Sequence, residues 1–377
     1  MVKCYDLVII GAGASGLAAA IAAAQAGERV LLLEKNARVG KKILVTGNGR
    51  CNLSNRHVET HEYHNKDFAA PALQSFGAAE CEAFFASLGL ALQEDAEGRF
   101  YPRSNTAASV LDALRFGVLR AGAEIRCDMP VTQISPAPDG FFLNDNILAR
   151  KVILAAGGCA APAQGSDGSG FGLLRRLGHN VIQPQPALVQ IKCESPLLGL
   201  LKGLRVRAAA KIERHGKALR RADGEILFTE DGLSGIAAME LSRDAQKDCI
   251  VVLDLLPDYS QEELNVLLVQ WQSACPEYTA SQLLAGLLPK RVAEAVVRSE
   301  QSPKRFAFNV MGTRGFAHAQ VTGGGADVRQ FNPASLQSRI VPGLYACGEV
   351  LDVDGGCGGF NLHWAWASGW LAGQLAS

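Results

Sequence analysis

Paired cysteines are the first absence. The chain carries ten cysteines but no C-x-x-C pair, which removes the usual signature of zinc, iron–sulfur and thioredoxin-like sites. His57, His61 and His64 lie close in sequence without a recognisable fourth ligand, so no metal is expected. No apolar run approaches the roughly 20 residues of a membrane span, and no signal-peptide pattern precedes the strand-like Tyr5–Ile10. Together these absences predict a reduced, cytoplasmic protein with no membrane partner. Net charge is missing too, because 37 Lys and Arg balance 37 Asp and Glu. That balance argues against a nucleic-acid partner.

Glycine is the residue in excess, at 40 of 377 against a usual share of roughly 7%. Many glycines sit in short runs, where backbone can approach a ligand. The first run follows Leu7-Val8-Ile9-Ile10, an apolar stretch typical of a strand buried on both faces. Gly11-Ala12-Gly13-Ala14-Ser15-Gly16 matches G-x-G-x-x-G, and the alanine-rich Leu17–Ala26 after it is helical in character. Val30–Leu33 reads as a second strand with Glu34 at its carboxyl end, followed by Lys35.

Each position has a physical task. Gly11 permits a tight turn, Gly13 lets backbone approach a pyrophosphate, and Gly16 lets helix and strand pack closely. The helix start offers unpaired N–H groups to phosphate. Glu34, 23 residues after Gly11, stands where an acid accepts hydrogen bonds from a ribose. These features predict a dinucleotide site without choosing the dinucleotide.

Later segments narrow the choice. No continuous six-stranded NAD domain follows, and no second G-x-G-x-x-G appears. Instead a strand runs into Ala155-Ala156-Gly157-Gly158, and a third strand runs into Gly348-Glu349 near the end. That layout resembles the two-nucleotide-fold flavoproteins, in which a distant returning segment places an acid on the ribityl chain; here Glu349 takes that place, with Asp352 and Asp354 after it. Four segments narrow the resemblance further: GKKILVTGNGRCNLSN from Gly40, a glycine-rich stretch over Gly157–Gly178, QVTGGG from Gln320, and GLYACGEVLDVDGGCGGFNLHWAWASGWLAG from Gly343. They resemble the YhiN/BaiN-like bacterial FAD-dependent flavoproteins, a family that includes aminoacetone oxidase. Asp167–Gly170 departs slightly from the family pattern, in which a second Asp or a Thr is common.

The resemblance covers nearly the whole chain. It implies noncovalently bound FAD in a doubly wound, Rossmann-like α/β domain with a large insertion. On this reading 1–187 and 321–377 bind FAD, 188–253 and 304–320 form a β-rich substrate-side insertion, and 254–303 is a small helical domain. The resemblance also places the backbone of Val131 on adenine. The same pattern runs Thr46, Gly47, Gly49, Arg50, Cys51 and Asn52 along the ring and pyrophosphate. Lys42 would reach a phosphate or stay solvated.

Reduction of a flavin puts negative charge near N1 and O2, which a helix N-terminus stabilises. Gly358-Gly359-Phe360-Asn361-Leu362 opens an apolar helix and is the candidate for that task. Catalytic candidates are Arg50, Tyr101 and His363, together with Arg103. Arg50 would bind a phosphate or an anionic substrate group. His363 would serve as an acid–base group or as a buried structural residue. Cys51 lacks the second cysteine of a flavin–disulfide pair, so a packed or flavin-contacting thiol is expected. Helices are expected at 71–88 and 105–121, a strand at 131–134, and turns at Asp139-Gly140 and Asp223-Gly224.

An FAD-dependent oxidoreductase acting on a small organic molecule is therefore expected, either an oxidase of an amine-like substrate or a reductase of a conjugated C=C bond. NAD(P)H would act as a transient reductant, since no domain is dedicated to it. The alternatives are an FAD-dependent tRNA-modifying enzyme, suggested by the basic stretch Lys202–Arg221, and a non-catalytic flavin-binding protein.

Overall fold

A computed structural model describes residues 3–376. The chain divides into two compact units, 1–185 with 321–377, and 186–320. No helix among the described residues is long and apolar enough to cross a membrane.

The first unit is built on a seven-stranded sheet. Its parallel part runs Glu124–Arg126, Val30–Leu33, Lys3–Ile10, Ile147–Leu154 and Leu344–Ala346. An antiparallel meander, Ile134–Ala137 and Gly140–Leu143, extends from the near half of Ile147–Leu154. Leu7 to Ile10 are buried, as continuous apolar strands covered on both faces must be. The register matters most. Ile10 sits opposite both Leu33 and Leu154, and Leu154 opposite Ala346. Gly11, Glu34, Ala155 and Cys347 therefore leave the sheet side by side at one carboxyl edge, where open α/β sheets bind ligands.

Two helices cover one face of this sheet at short range. In the helix Phe360–Leu375, a Cβ on Gly369 would collide with the carbonyl oxygen of Ser15, and one on Gly373 with that of Ala19. Both carbonyls belong to the helix Ala14–Gln25. Small residues at a four-residue spacing thus let two helix backbones touch.

Several expectations need correction. The helix expected over 71–88 is two, Lys66–Ser75 and Ala78–Ser87. Gly77 caps the second, and Glu80 accepts its backbone N–H at 3.0 Å. The expected strand at 131–134 begins only at Ile134, because Asn144 clamps the preceding segment through Pro130 O and Thr132 N. Asp223-Gly224 is no turn. It lies within the strand Lys217–Phe228, opposite Ala208 and Ala209, and the hairpin turns instead at His215-Gly216. Both turn residues take positive φ, 50° and 77°, as a two-residue hairpin loop requires.

The second unit is a closed barrel of six antiparallel strands: Ile191–Glu194, Gly232–Ser234, Lys217–Phe228, Arg205–Arg214, Cys249–Asp254 and Phe306–Thr313. Ile212, Phe228, Val251, Phe306 and Phe308 fill it. Leu264, Leu284, Val292 and Val296 from the helices Gln261–Ala274, Ala280–Leu284 and Lys290–Arg298 join the same core. The basic stretch is largely neutralised at home: Lys202, Arg205, Lys211, Arg214 and Arg220 pair with Glu230, Glu225, Glu213, Asp248 and Asp244.

The helix contact makes a direct prediction. Gly369→Ala should destabilise the protein by roughly 1–3 kcal/mol through overpacking against backbone that cannot move. Gly172→Ala, where nothing lies within 4 Å, should be neutral or stabilising by up to about 1 kcal/mol. Urea unfolding of both variants tests the difference, and equal effects would refute the close-contact account.

Candidate functional site

The carboxyl edge assembles the nucleotide turn. Gly11 has φ +103°, and a Cβ there would strike the carbonyl of Ala155. A Cβ on Gly16 would strike the carbonyl of Gly11. Gly13 is different: nothing lies within 4 Å of its Cβ position. Two glycines thus serve packing, and the third leaves open space at the start of the Ala14–Gln25 helix. Ala14 and Ser15 supply the first amides of that helix. Buried Glu34 accepts from Ala12 N at 3.0 Å and from Asn36 N at 2.9 Å, which draws the turn toward the second strand.

The adenine end also fits. Met129 N and Asp128 N donate to the carbonyls of Glu34 and Asn36, holding the 128–131 segment beside the ribose-side acid. The backbone N–H and C=O of Val131 have no hydrogen-bond partner among the described residues. An open donor–acceptor pair beside an open phosphate turn suits a dinucleotide. Lys35 pairs with Asp167 at 2.5 Å, so its charge is shared with that loop.

At the opposite end, the 43–52 loop and the Gly355–Gly359 turn are latched together. With its amide turned so that both ends are satisfied, Asn52 bridges Ser54 O and Gly359 N at 3.1 Å each, and Asn55 Nδ2 donates to Gly358 O at 3.0 Å. Trp366 Nε1 donates to Leu53 O at 2.8 Å, and Trp364 Nε1 to Gly348 O at 3.2 Å. The loop itself is irregular: Gly47, Asn48, Gly49 and Cys51 all have positive φ. Leu44 and Val45 are exposed on it. Thr46 back-bonds to Ile43 O at 2.7 Å.

Several anticipated ligands are engaged elsewhere. The Glu349 carboxylate takes Lys42 Nζ at 2.7 Å and Thr322 N at 2.8 Å, a pairing across 307 positions. Thr322 Oγ1 accepts from Cys159 N and Ala160 N at 2.8 and 2.9 Å, which fixes the turn after Ala156, Gly157 and Gly158. Thr322 stood inside the QVTGGG segment, but nothing in its type gave it a role. Asp352 is buried against Asn65, whose Nδ2 lies 3.1 Å from its Oδ2. The amide of Asn361 is spent on its own turn, through Gly355 N, Gly355 O and Gly356 O. Phe360 is buried, and its carbonyl accepts from Tyr63 OH at 2.9 Å. The Asn361 side chain therefore shapes the site by geometry. The backbone amides of Phe360, Asn361 and Leu362, at the start of a 16-residue helix, remain the positive end.

Of the four catalytic candidates, His363 stands apart from Arg50 and Tyr101. His363 has no exposed surface. Its Nε2 donates to Phe76 O at 2.8 Å, so its Nδ1 accepts from Ser54 Oγ, also at 2.8 Å. Both nitrogens are used inside the protein, and burial pushes the imidazole down to about 4. His363 is a brace, not an acid–base group. Burial likewise pushes the Cys51 thiol up to about 12, which leaves it unreactive. Arg50 and Tyr101, by contrast, meet: the guanidinium carbon lies 4.8 Å from the Tyr101 ring centroid.

Comparison with known proteins agrees with this architecture. Residues 5–375 match the family described as HI0933-like protein Rossmann domain. The chain belongs to that family. It is 37% identical to the 3-dehydro-bile acid delta(4,6)-reductase of Clostridium scindens, over 98% of both chains. It is 32% identical to the ribosomal RNA dihydrouridine synthase of Escherichia coli, over 98% of this chain and 97% of that one. Among solved structures, a 3-ketosteroid delta1-dehydrogenase from Sterolibacterium denitrificans aligns over 98% of both chains, with TM-score 0.54 and 13% identity, and shares the fold. The protein is a flavin-dependent oxidoreductase.

Two predictions follow from this geometry. Gly13→Val should leave the fold intact, since its side chain meets open space, yet weaken FAD binding at least tenfold in a fluorescence titration. His363 is neutral when folded, whereas an unfolded chain protonates it below pH 6.5. Its contribution to stability is therefore complete above pH 6.5 and is lost as pH falls to about 4. That loss is worth roughly 3 kcal/mol, and His363→Gln should flatten the pH dependence of unfolding over that window.

Proposed function

We propose that this protein uses noncovalently held FAD to saturate a carbon–carbon double bond conjugated to a carbonyl in a small organic substrate. The observation that carries the reading is the latched pair of elements at the far end from Gly11. An irregular loop with exposed Leu44, Val45 and Arg50 is fastened to the N-terminus of the Phe360–Leu375 helix. That N-terminus favours the anionic reduced ring, and the loop offers apolar and cationic contacts. FAD, when bound and reduced, supplies the hydride. The 37%-identical relative is named a 3-dehydro-bile acid delta(4,6)-reductase, which supports the same polarity of reaction. NAD(P)H would dock transiently as reductant.

In the chain itself, Gly11, Gly13 and Gly16 shape the phosphate turn, Glu34 holds the ribose end, and Val131 meets the adenine. Glu349 and Lys42 act as one neutral pair beside Gly158, whose Cβ would lie 3.0 Å from Glu349 Oε1.

A second reading has its own support. The relatives named as ribosomal RNA dihydrouridine synthases, at 32% and 29% identity, also saturate a double bond conjugated to a carbonyl, within a uracil ring. The internal pairing of five basic residues in Lys202–Arg221 favours the small-molecule substrate.

Anaerobic stopped-flow measurement separates these readings. The FAD-loaded protein should be reduced by NADH or NADPH and reoxidised rapidly by an enone such as androst-4-ene-3,17-dione or 2-cyclohexenone. Reoxidation by air alone, with amines reducing the flavin, would mark an oxidase instead. Reoxidation only by ribosomal RNA would select the second reading.

A further inference from the structure

Two neighbouring aromatics on the strand Arg99–Pro102 are each stacked by an arginine, with different outcomes. Arg56 covers Phe100 at 4.6 Å and is tied to Glu82 and Glu94 at 3.1 and 2.7 Å. Arg50 covers Tyr101 at 4.8 Å and has no carboxylate partner among the described residues. Tyr101 is only 7% exposed, yet its hydroxyl has no hydrogen-bond partner among the described residues. Here a mostly buried ring keeps an open, solvent-reachable O–H beside a cation with no carboxylate partner.

The pair also stands next to the flavin-side elements. Leu53 N donates to Phe100 O at 2.9 Å, and Ser54 pairs in register with Phe100. From that segment Asn52 and Asn55 reach Gly359 and Gly358. The Tyr101 strand is thus one hydrogen-bonded step from the turn that opens the Phe360–Leu375 helix.

The geometry points to Tyr101 as the proton donor of the reduction, with Arg50 as its charge partner. This rests on the proposed saturation of a conjugated double bond. FAD, when bound and reduced, would supply the hydride for the new C–H bond at the carbon β to the carbonyl. The π electrons of the double bond take the Tyr101 proton at the α carbon, forming the second C–H bond as the phenol O–H bond breaks. The resulting phenolate, its charge spread into the ring that Arg50 covers, recovers a proton from water. The substrate gains two electrons and two protons, and the two-electron-reduced flavin, recharged by a nicotinamide-class donor or dithionite, is the oxidised partner. Arg50 serves this role because a stacked guanidinium keeps a fixed position over the ring.

The test uses the full-length, FAD-loaded protein and its Tyr101→Phe variant, reduced with dithionite and mixed anaerobically with 2-cyclohexenone or androst-4-ene-3,17-dione. Tyr101→Phe removes one oxygen atom, so FAD affinity, unfolding midpoint and the rate of reoxidation by air should match wild type. Reoxidation by the enone should slow by at least about 100-fold, the usual scale of a lost general acid, and its solvent deuterium isotope effect should change. Arg50→Lys should slow the enone step less than Arg50→Leu, with FAD affinity unchanged in both. Tyr101→Phe reoxidation by enone within about threefold of wild type would overturn the assignment. A tenfold loss of FAD affinity in Arg50→Lys would overturn it as well, by making Arg50 a cofactor-phosphate ligand. If the reduced wild-type flavin ignores both enones, the double-bond reading itself falls, and the proton donor with it.

Discussion

Backbone touching backbone is the constraint on which the first unit depends. Gly16 rests on the Gly11 carbonyl, Gly11 on Ala155, Gly369 on Ser15 and Gly373 on Ala19. Each contact leaves no room for a methyl group. Their combined effect is to seat the Ala14–Gln25 helix between the sheet and the last helix, with its first amides beside the open space at Gly13. Because the strand register aligns Ile10, Leu33, Leu154 and Ala346, the segments that follow them converge without long connecting loops. Phosphate-end and flavin-end elements are thus set by one packing arrangement.

The flavin end depends on polar latches more than on close packing. Asn52, Asn55, Trp364 and Trp366 each use one side-chain group to hold a loop at a fixed place. Such bonds leave the loop backbone free to take positive φ at Gly47, Asn48 and Gly49. His363 adds a brace between Ser54 and Phe76. The division of labour is physical: buried, doubly bonded groups set shape, and Arg50 and Tyr101, among the described residues, are left with only each other as polar neighbours.

Local signals were legible in the sequence, and distant pairings were not. The strand–glycine–helix unit at Gly11 was readable because its determinants lie within 30 consecutive residues. The pairing of Lys42 with Glu349 spans 307 positions and leaves no local pattern. Residue type suggested a free ligand for Asn361, but its amide folds back six positions. Asp223-Gly224 has turn chemistry, yet tertiary pairing across Ala208 and Ala209 holds it straight. Tyr101 and Arg50 were recognised separately; only the folded chain shows that one covers the other.

The cysteines have a consequence for life in air. Flavoenzymes leak electrons to oxygen and so generate hydrogen peroxide beside their own cofactor. Peroxide attacks thiolates and spares thiols. Burial pushes Cys51, Cys193 and Cys347 each up to about 12, and Cys81 higher still. These side chains are protonated as well as enclosed. Their sulfur atoms can fill the interior without becoming targets of any peroxide formed nearby.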